Sequence, residues 1–186
     1  MRFEAPKPWY FIIHRYGAHA PIERFANKEM EAWIMKPIEV GMPAPAFTME
    51  DINEQPVLLS DFLGRKVLLS WHPIAWTSVC TDQMRALEVN WDRFQALNTV
   101  PLGVSVDPSA GKLAWAAVLR ITDLPLLSDF WPHGKVATDY GIFDETSGMS
   151  KRANIIIDEK GIVKWVKVYP NPELPDLEEV FRELAK

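Results

Sequence analysis

Cysteine is nearly absent from this 186-residue chain. Cys80 is the only one, which excludes an internal disulfide, a CxxC redox pair and a thiolate zinc site. Histidine is scarce too. His14, His19, His72 and His133 show no ligand spacing, so neither a metal nor another cofactor is expected. No apolar run approaches the ~20 residues that span a bilayer, so no membrane partner is expected. Positive charge is not in excess: the net charge is −5 and the Lys and Arg residues are scattered. That balance argues against a nucleic-acid groove. The run Tyr10-Phe11-Ile12-Ile13 is too short for a signal-peptide core, and no small-residue cleavage site follows it at the right distance. A cytoplasmic protein is expected.

The chain does hold enough apolar residues for a full core. A hydrophobic share of 48% against a charged share of 24% is that of a soluble globular protein. The length allows one domain plus a terminal extension. Residues 1–36 mix Phe3, Trp9, Tyr10, Phe11 and Tyr16 with Pro6, Pro8 and Pro21, the pattern of an irregular segment lying on an apolar surface. Ile22, Phe25, Ala26, Met30, Trp33 and Ile34 then recur at helical spacing. Two readings of this extension stand open: a docking arm for a neighbouring subunit, or a non-native start with translation beginning at Met35. Residues 37–186 form the domain proper.

The domain is organised around residues 67–97. Val67-Leu68-Leu69-Ser70-Trp71, bounded by Gly64 and Pro73, reads as a buried strand. Met84, Leu87, Trp91, Phe94 and Leu97 predict one amphipathic helix after the turn. Thr77 or Ser78 can cap it, and Asp82 suits its first turn. Cys80 therefore falls in the first helical turn, where unpaired backbone N–H groups and the macrodipole favour a thiolate. A lone cysteine often serves only as a small buried hydrophobe, and Cys80 does extend the apolar stripe towards Met84. Composition alone favours that bland reading; the order of residues around Cys80 reverses it.

Elsewhere strands and helices alternate. Short strands are expected at 47–50 and 57–60 around Asn53-Glu54-Gln55, and a buried strand at 101–106. Ser109 is expected to cap a helix carrying Leu113, Ala116, Ala117 and Leu119. A short strand at 124–128 and a short helix at 132–140, ended by Gly141, follow. Strands at 153–157 and 162–168 flank Asp158-Glu159-Lys160-Gly161, the strongest hairpin signal. An amphipathic helix at 176–185 closes the chain. This order predicts an α/β protein with a central mixed sheet and helices on both faces.

Pro73, Thr77 and Cys80 fill a Pro-x-x-x-Thr-x-x-Cys pattern that resembles the active-site motif of the peroxiredoxins. The resemblance covers roughly residues 38–185. Pro125-Leu126-Leu127-Ser128-Asp129-Phe130-Trp131-Pro132-His133-Gly134 and Tyr140-Gly141-Ile142-Phe143 look like the one-cysteine alkyl hydroperoxide reductase E group. The resemblance implies a thioredoxin-like fold of the peroxiredoxin type. Met149-Ser150-Lys151-Arg152-Ala153-Asn154 resembles the segment bearing the family's active-site arginine, placing it at Arg152. One departure stands out: Gln83 occupies the position where the family usually has Glu, which removes a charge and loosens the expected network around the arginine.

The implied chemistry is peroxide reduction by thiolate attack, leaving a sulfenic acid. An unperturbed cysteine is only a few per cent thiolate at pH 7, so ionisation alone yields a modest gain. Donors aimed at the oxygens must do more, at ~10²–10³ for one good donor. Arg152 supplies a fork of donors, and the Thr77 hydroxyl can donate or accept. By resemblance, the Val79 and Cys80 N–H groups add two more, and Pro73 shields the sulfur. With no second cysteine, an external thiol or a thioredoxin- or glutaredoxin-type reductant must resolve the sulfenic acid. The competing reading is a peroxide sensor that uses Cys80 oxidation as a signal. A homodimer is expected, by resemblance through the segment around Phe130 and Trp131, with Trp76 nearby.

Overall fold

Residues 67–71 are apolar on both sides because the strand they form has a covered face on either side. In the computed structural model, which describes residues 36–186, this strand is β3 (Lys66–Trp71) and lies inside a seven-stranded mixed sheet. The expectations for residues 1–35 lie outside the described residues. The other strands of the sheet are β1 (Thr48–Asp51), β2 (Pro56–Leu58), β4 (Thr99–Ser105), β5 (Leu126–Ser128), β8 (Arg152–Ile157) and β9 (Val163–Tyr169). A separate two-stranded hairpin, unpredicted from the sequence, pairs β6 (Phe143–Asp144) with β7 (Met149–Ser150). The sheet order is β2-β1-β5-β4-β3-β8-β9. β3, β4 and β5 are parallel neighbours, while β8 runs antiparallel to β3 and β9 antiparallel to β8.

Parallel neighbours need crossovers. Helices α1 (Ser78–Val89) and α2 (Trp91–Ala96) link β3 to β4, and α3 (Ser109–Leu119) links β4 to β5. With α5 (Leu177–Leu184) they cover one face, where Leu68, Met84, Phe94, Trp115, Ile156 and Phe181 share a core. On the other face Leu69, Trp71, Leu102 and Ile155 pack against α4 (Lys135–Asp139) and the residues after it. Helices do lie on both faces, as expected.

Several local expectations change. The single helix expected after Cys80 breaks at Asn90, whose side-chain amide donates to the Ala86 carbonyl at 2.8 Å and so competes with the helical backbone. Asp82 is the fifth helical residue, beyond the first turn. Ser109 does not cap α3. The extended backbone of Pro108 makes the turn, and Ser109 becomes the first helical residue with its hydroxyl buried and without a partner among the described residues. The buried stripe of α3 is Lys112, Trp115, Ala116 and Leu119, leaving Leu113 and Ala117 exposed. Both stripes have helical spacing; the indole of Trp115 has the larger area to bury and decides the rotation. α4 begins only at Lys135, since Gly134 has a left-handed φ of +67. The predicted hairpin forms as expected, with the Asp158 carboxylate accepting from Lys160 N and Ile162 N at 2.9 and 2.8 Å.

α1 sits unusually close to the sheet. A Cβ added to Gly103 of β4 would stand 2.5 Å from Met84 Sδ and 2.6 Å from a Leu126 methyl. Glycine in that strand is what lets the helix start approach the strand ends.

Candidate active site

β3 ends at Trp71, and the chain leaves through His72 and Pro73 into a loop that delivers Cys80 as the third residue of α1. Thr77 is the cap residue with extended backbone, φ −95 and ψ 155, but its hydroxyl does not cap the helix. It donates instead to the Ile74 carbonyl at 3.3 Å. Its lone pairs stay free, which suits accepting a hydrogen bond from a peroxide O–H better than donating one. The backbone N–H groups of Val79 and Cys80 carry no hydrogen bond among the described residues. They are two of the orphan donors of a helix start. Pro73 is buried, Thr77 is exposed and Val79 is half-buried.

Antiparallel pairing brings the second half of the site. Trp71 pairs with Ala153, so β8 begins where β3 ends and Arg152 lies beside the loop. Arg152 is 2% exposed, and its guanidinium reaches across to Cys80, itself 1% exposed, with Nη2 at 3.3 Å from Sγ. Nε and Nη2 also donate to the Asn171 carbonyl at 3.1 and 2.9 Å. Nη1 donates to Gln83 Oε1. Gln83 is locked in turn, its Nε2 donating to Ser70 Oγ at 2.8 Å and to the Trp71 carbonyl at 3.2 Å. Gln83 thus keeps the hydrogen bond to Arg152 and forfeits only the charge. The arginine's remaining contacts are neutral oxygens and one sulfur, and no carboxylate forms an ion pair with it among the described residues. The site thus holds a buried, fixed cation within hydrogen-bond reach of the sulfur.

Other polar groups support this layer. Ser150 Oγ donates to the His72 carbonyl at 3.0 Å. The His72 ring is fully buried and neither ring nitrogen has a partner among the described residues. Burial holds its pKa well below the usual histidine value, and the nearby Lys112 and Arg152 charges push the same way. The Ala75 N–H donates to Asp107 Oδ2 at 2.8 Å. Sequence reasoning did not find Asn171, Ser70, Asp107 or Lys112. Asn171 contributes a backbone carbonyl, which leaves no mark in a side-chain pattern. Lys112 was legible only as a cation at helical spacing from Trp115 and Leu119. A cavity of about 570 Å³ lies beside Phe130 and Trp131, and Cys80 does not line it. No group of three or more His, Cys, Asp or Glu residues that could hold a metal occurs among the described residues.

A thioredoxin-like sheet that presents a lone cysteine at a helix start against a buried arginine defines a thiol-dependent peroxidase of the one-cysteine class. The comparisons agree. The AhpC/TSA family matches residues 40–166. Alkyl hydroperoxide reductase E of Mycobacterium tuberculosis is 36% identical over 140 residues, covering 75% of this chain and 91% of the relative. Peroxiredoxin-1 of Gallus gallus is 33% identical over 153 residues, covering 77% and 76%. The crystal structure of reduced Plasmodium vivax 2-Cys peroxiredoxin superposes with a TM-score of 0.72 at 32% identity, covering 80% of this chain and 81% of that one. The chain belongs to the AhpC/TSA family, the peroxiredoxins.

Proposed function

We propose that the chain reduces hydrogen peroxide and organic hydroperoxides through a Cys80 sulfenic acid that an external thiol resolves. The Cys80 thiolate attacks one peroxide oxygen. The O–O bond breaks, and the other oxygen leaves with a proton as water or alcohol. Arg152 Nη2 and the free N–H groups of Val79 and Cys80 stabilise charge as it moves onto the oxygens. Thr77 accepts from the peroxide O–H, and Pro73, which lacks an N–H, keeps water from the sulfur. A thiol, free or on a thioredoxin- or glutaredoxin-type protein, then attacks the sulfenic acid and releases water. A second thiol exchanges with the mixed disulfide and restores Cys80. The observation that carries this reading is the 3.3 Å contact between Cys80 Sγ and an arginine whose other partners are neutral.

Reduced protein mixed with one equivalent of peroxide should gain one oxygen on Cys80 by mass spectrometry, and Cys80→Ser should consume no peroxide while keeping its fold. Rapid turnover by that variant rejects the assignment. Sustained consumption with a thiol reductant separates the enzyme from a peroxide sensor, which would instead bind a partner durably only after oxidation. The same reading includes a homodimer. Trp131 is 84% exposed, Trp76 57% and Phe130 48%, and large exposed aromatics of this kind are enriched at interfaces.

A further inference from the structure

Lys112 of α3 is fully buried, and its ammonium touches no carboxylate among the described residues. Nζ donates to Ser105 Oγ at 2.9 Å and to the Leu127 carbonyl at 2.6 Å. A buried cation held only by neutral oxygens is costly, and burial pushes the Lys112 amine down to about 7 although Asp107 and Asp129 pull it up. A methionine would fill similar space without that cost, so packing does not account for the residue. The bond to Ser105 supplies an account. An ammonium only donates, so Ser105 accepts from Lys112 and must aim its own O–H elsewhere. It aims at Asp107 Oδ2, 2.7 Å away. That same oxygen accepts from Ala75 N–H at 2.8 Å, and Ser128 Oγ holds the Asp107 carbonyl at 2.8 Å. Ala75 lies in the loop between β3 and α1. Its neighbour Trp76 has a left-handed φ of 68, a conformation that is strained outside glycine and needs an anchor to persist.

We propose that Lys112 is a positioning residue for peroxide reduction, acting through Ser105 and Asp107 to fix Ala75 and with it the loop that carries Pro73 and Thr77 to the start of α1. The proposal rests on the reading of Cys80 as the peroxide-reducing thiol. Charge adds to geometry. Lys112 offsets the Asp107 carboxylate, which would otherwise stand as an uncompensated anion beside a loop built around a thiolate. Were Lys112 only a support for the end of β5 through the Leu127 carbonyl, its removal would leave oxidation and Ala75 untouched.

Stopped-flow tryptophan fluorescence gives the rate of oxidation by hydrogen peroxide at pH 6, where Lys112 holds its proton, for wild type, Lys112→Met, Asp107→Asn and the double variant. NMR follows the Ala75 amide proton of each reduced protein. Lys112→Met should be oxidised about tenfold more slowly, with a thermal midpoint at or above that of wild type. The double variant should be no slower than the slower single one, because both act through one chain of bonds. The Ala75 amide proton should shift in all three, upfield where Asp107→Asn makes its acceptor neutral and measurably in Lys112→Met as Ser105 is released from its hold on Asp107. Wild-type rates in Lys112→Met, singly measured losses that multiply in the double variant, or an unmoved Ala75 amide each overturn the proposal. If Lys112→Met does not fold, Ser105→Ala removes the relaying hydroxyl and should give the same slowing and the same amide shift; their absence is equally fatal. The amide signal is read without peroxide. A wild type inert to peroxide therefore rejects the peroxidase reading, and this proposal with it, whereas an active wild type with an unmoved amide rejects the relay alone.

Discussion

Arg152 is the residue on which the proposed chemistry turns. Its guanidinium is pinned from three sides by Asn171, Gln83 and Cys80, so its donors need no rearrangement when charge reaches the peroxide oxygens. Arg152→Ala should slow stopped-flow oxidation by about 10²-fold or more. Arg152→Lys keeps a charge but loses the rigid fork and should fall between the two. An alanine variant oxidised at the wild-type rate would remove Arg152 from the mechanism. His72 and Lys112 carry a different consequence, for stability. Both are buried, and both hold a proton more weakly in the fold than in the unfolded chain. The unfolded state therefore binds more protons, and stability rises with pH across each window. For Lys112 the window runs from about 7 up to the ordinary lysine value of 10.5; for His72 it lies below 6.5. Urea midpoints should climb from pH 7 to pH 10 and fall as the pH drops below 6.5. Lys112→Met should flatten the alkaline slope and His72→Phe the acid one. Unchanged slopes in these variants would assign the pH dependence to other groups.

At the scale of elements, two placements make the site. The first is the packing of α1 over β4, where Gly103 leaves room for Met84 and Leu126. Gly103→Val should overpack that contact, cost about 1–3 kcal/mol of stability and slow oxidation by tilting the helix start. Denaturant titration beside stopped-flow kinetics checks both, and a variant as stable as wild type would show that the contact yields freely. The second placement is the antiparallel docking of β8 against β3, which sets Arg152 seventy-two residues from Cys80 in sequence yet in hydrogen-bond reach. Periodicity located α1 and its buried face but not the break at Asn90, because a side-chain amide competing for a backbone carbonyl leaves the apolar spacing intact.

At the scale of the whole molecule, the aromatics Trp76, Phe130 and Trp131 are among the large hydrophobic side chains that the described fold leaves exposed. The homodimer proposed through them predicts a two-subunit mass by light scattering at micromolar protein, and Trp131→Glu should shift it towards one subunit. A monomeric wild type would reject the dimer, and an undisturbed Trp131→Glu dimer would move the interface elsewhere.

The amino-acid sequence by itself determined the order of the seven strands of the main sheet, the position of Cys80 in a first helical turn, and the absence of any second thiol. These are local properties: apolar period, turn residues and a count. The motif from Pro73 to Cys80 and the segment holding Arg152 were also legible by resemblance. Tertiary structure alone decided which groups meet. The Asn171 carbonyl is an unmarked backbone atom, and the face of α3 was settled by Trp115 seeking burial, which drew Lys112 inside with it. The direction of the Thr77 hydroxyl was likewise settled by a loop carbonyl three residues back. Contacts between residues distant in the chain depend on sheet pairing and helix rotation, and neither is written in the spacing of any one segment.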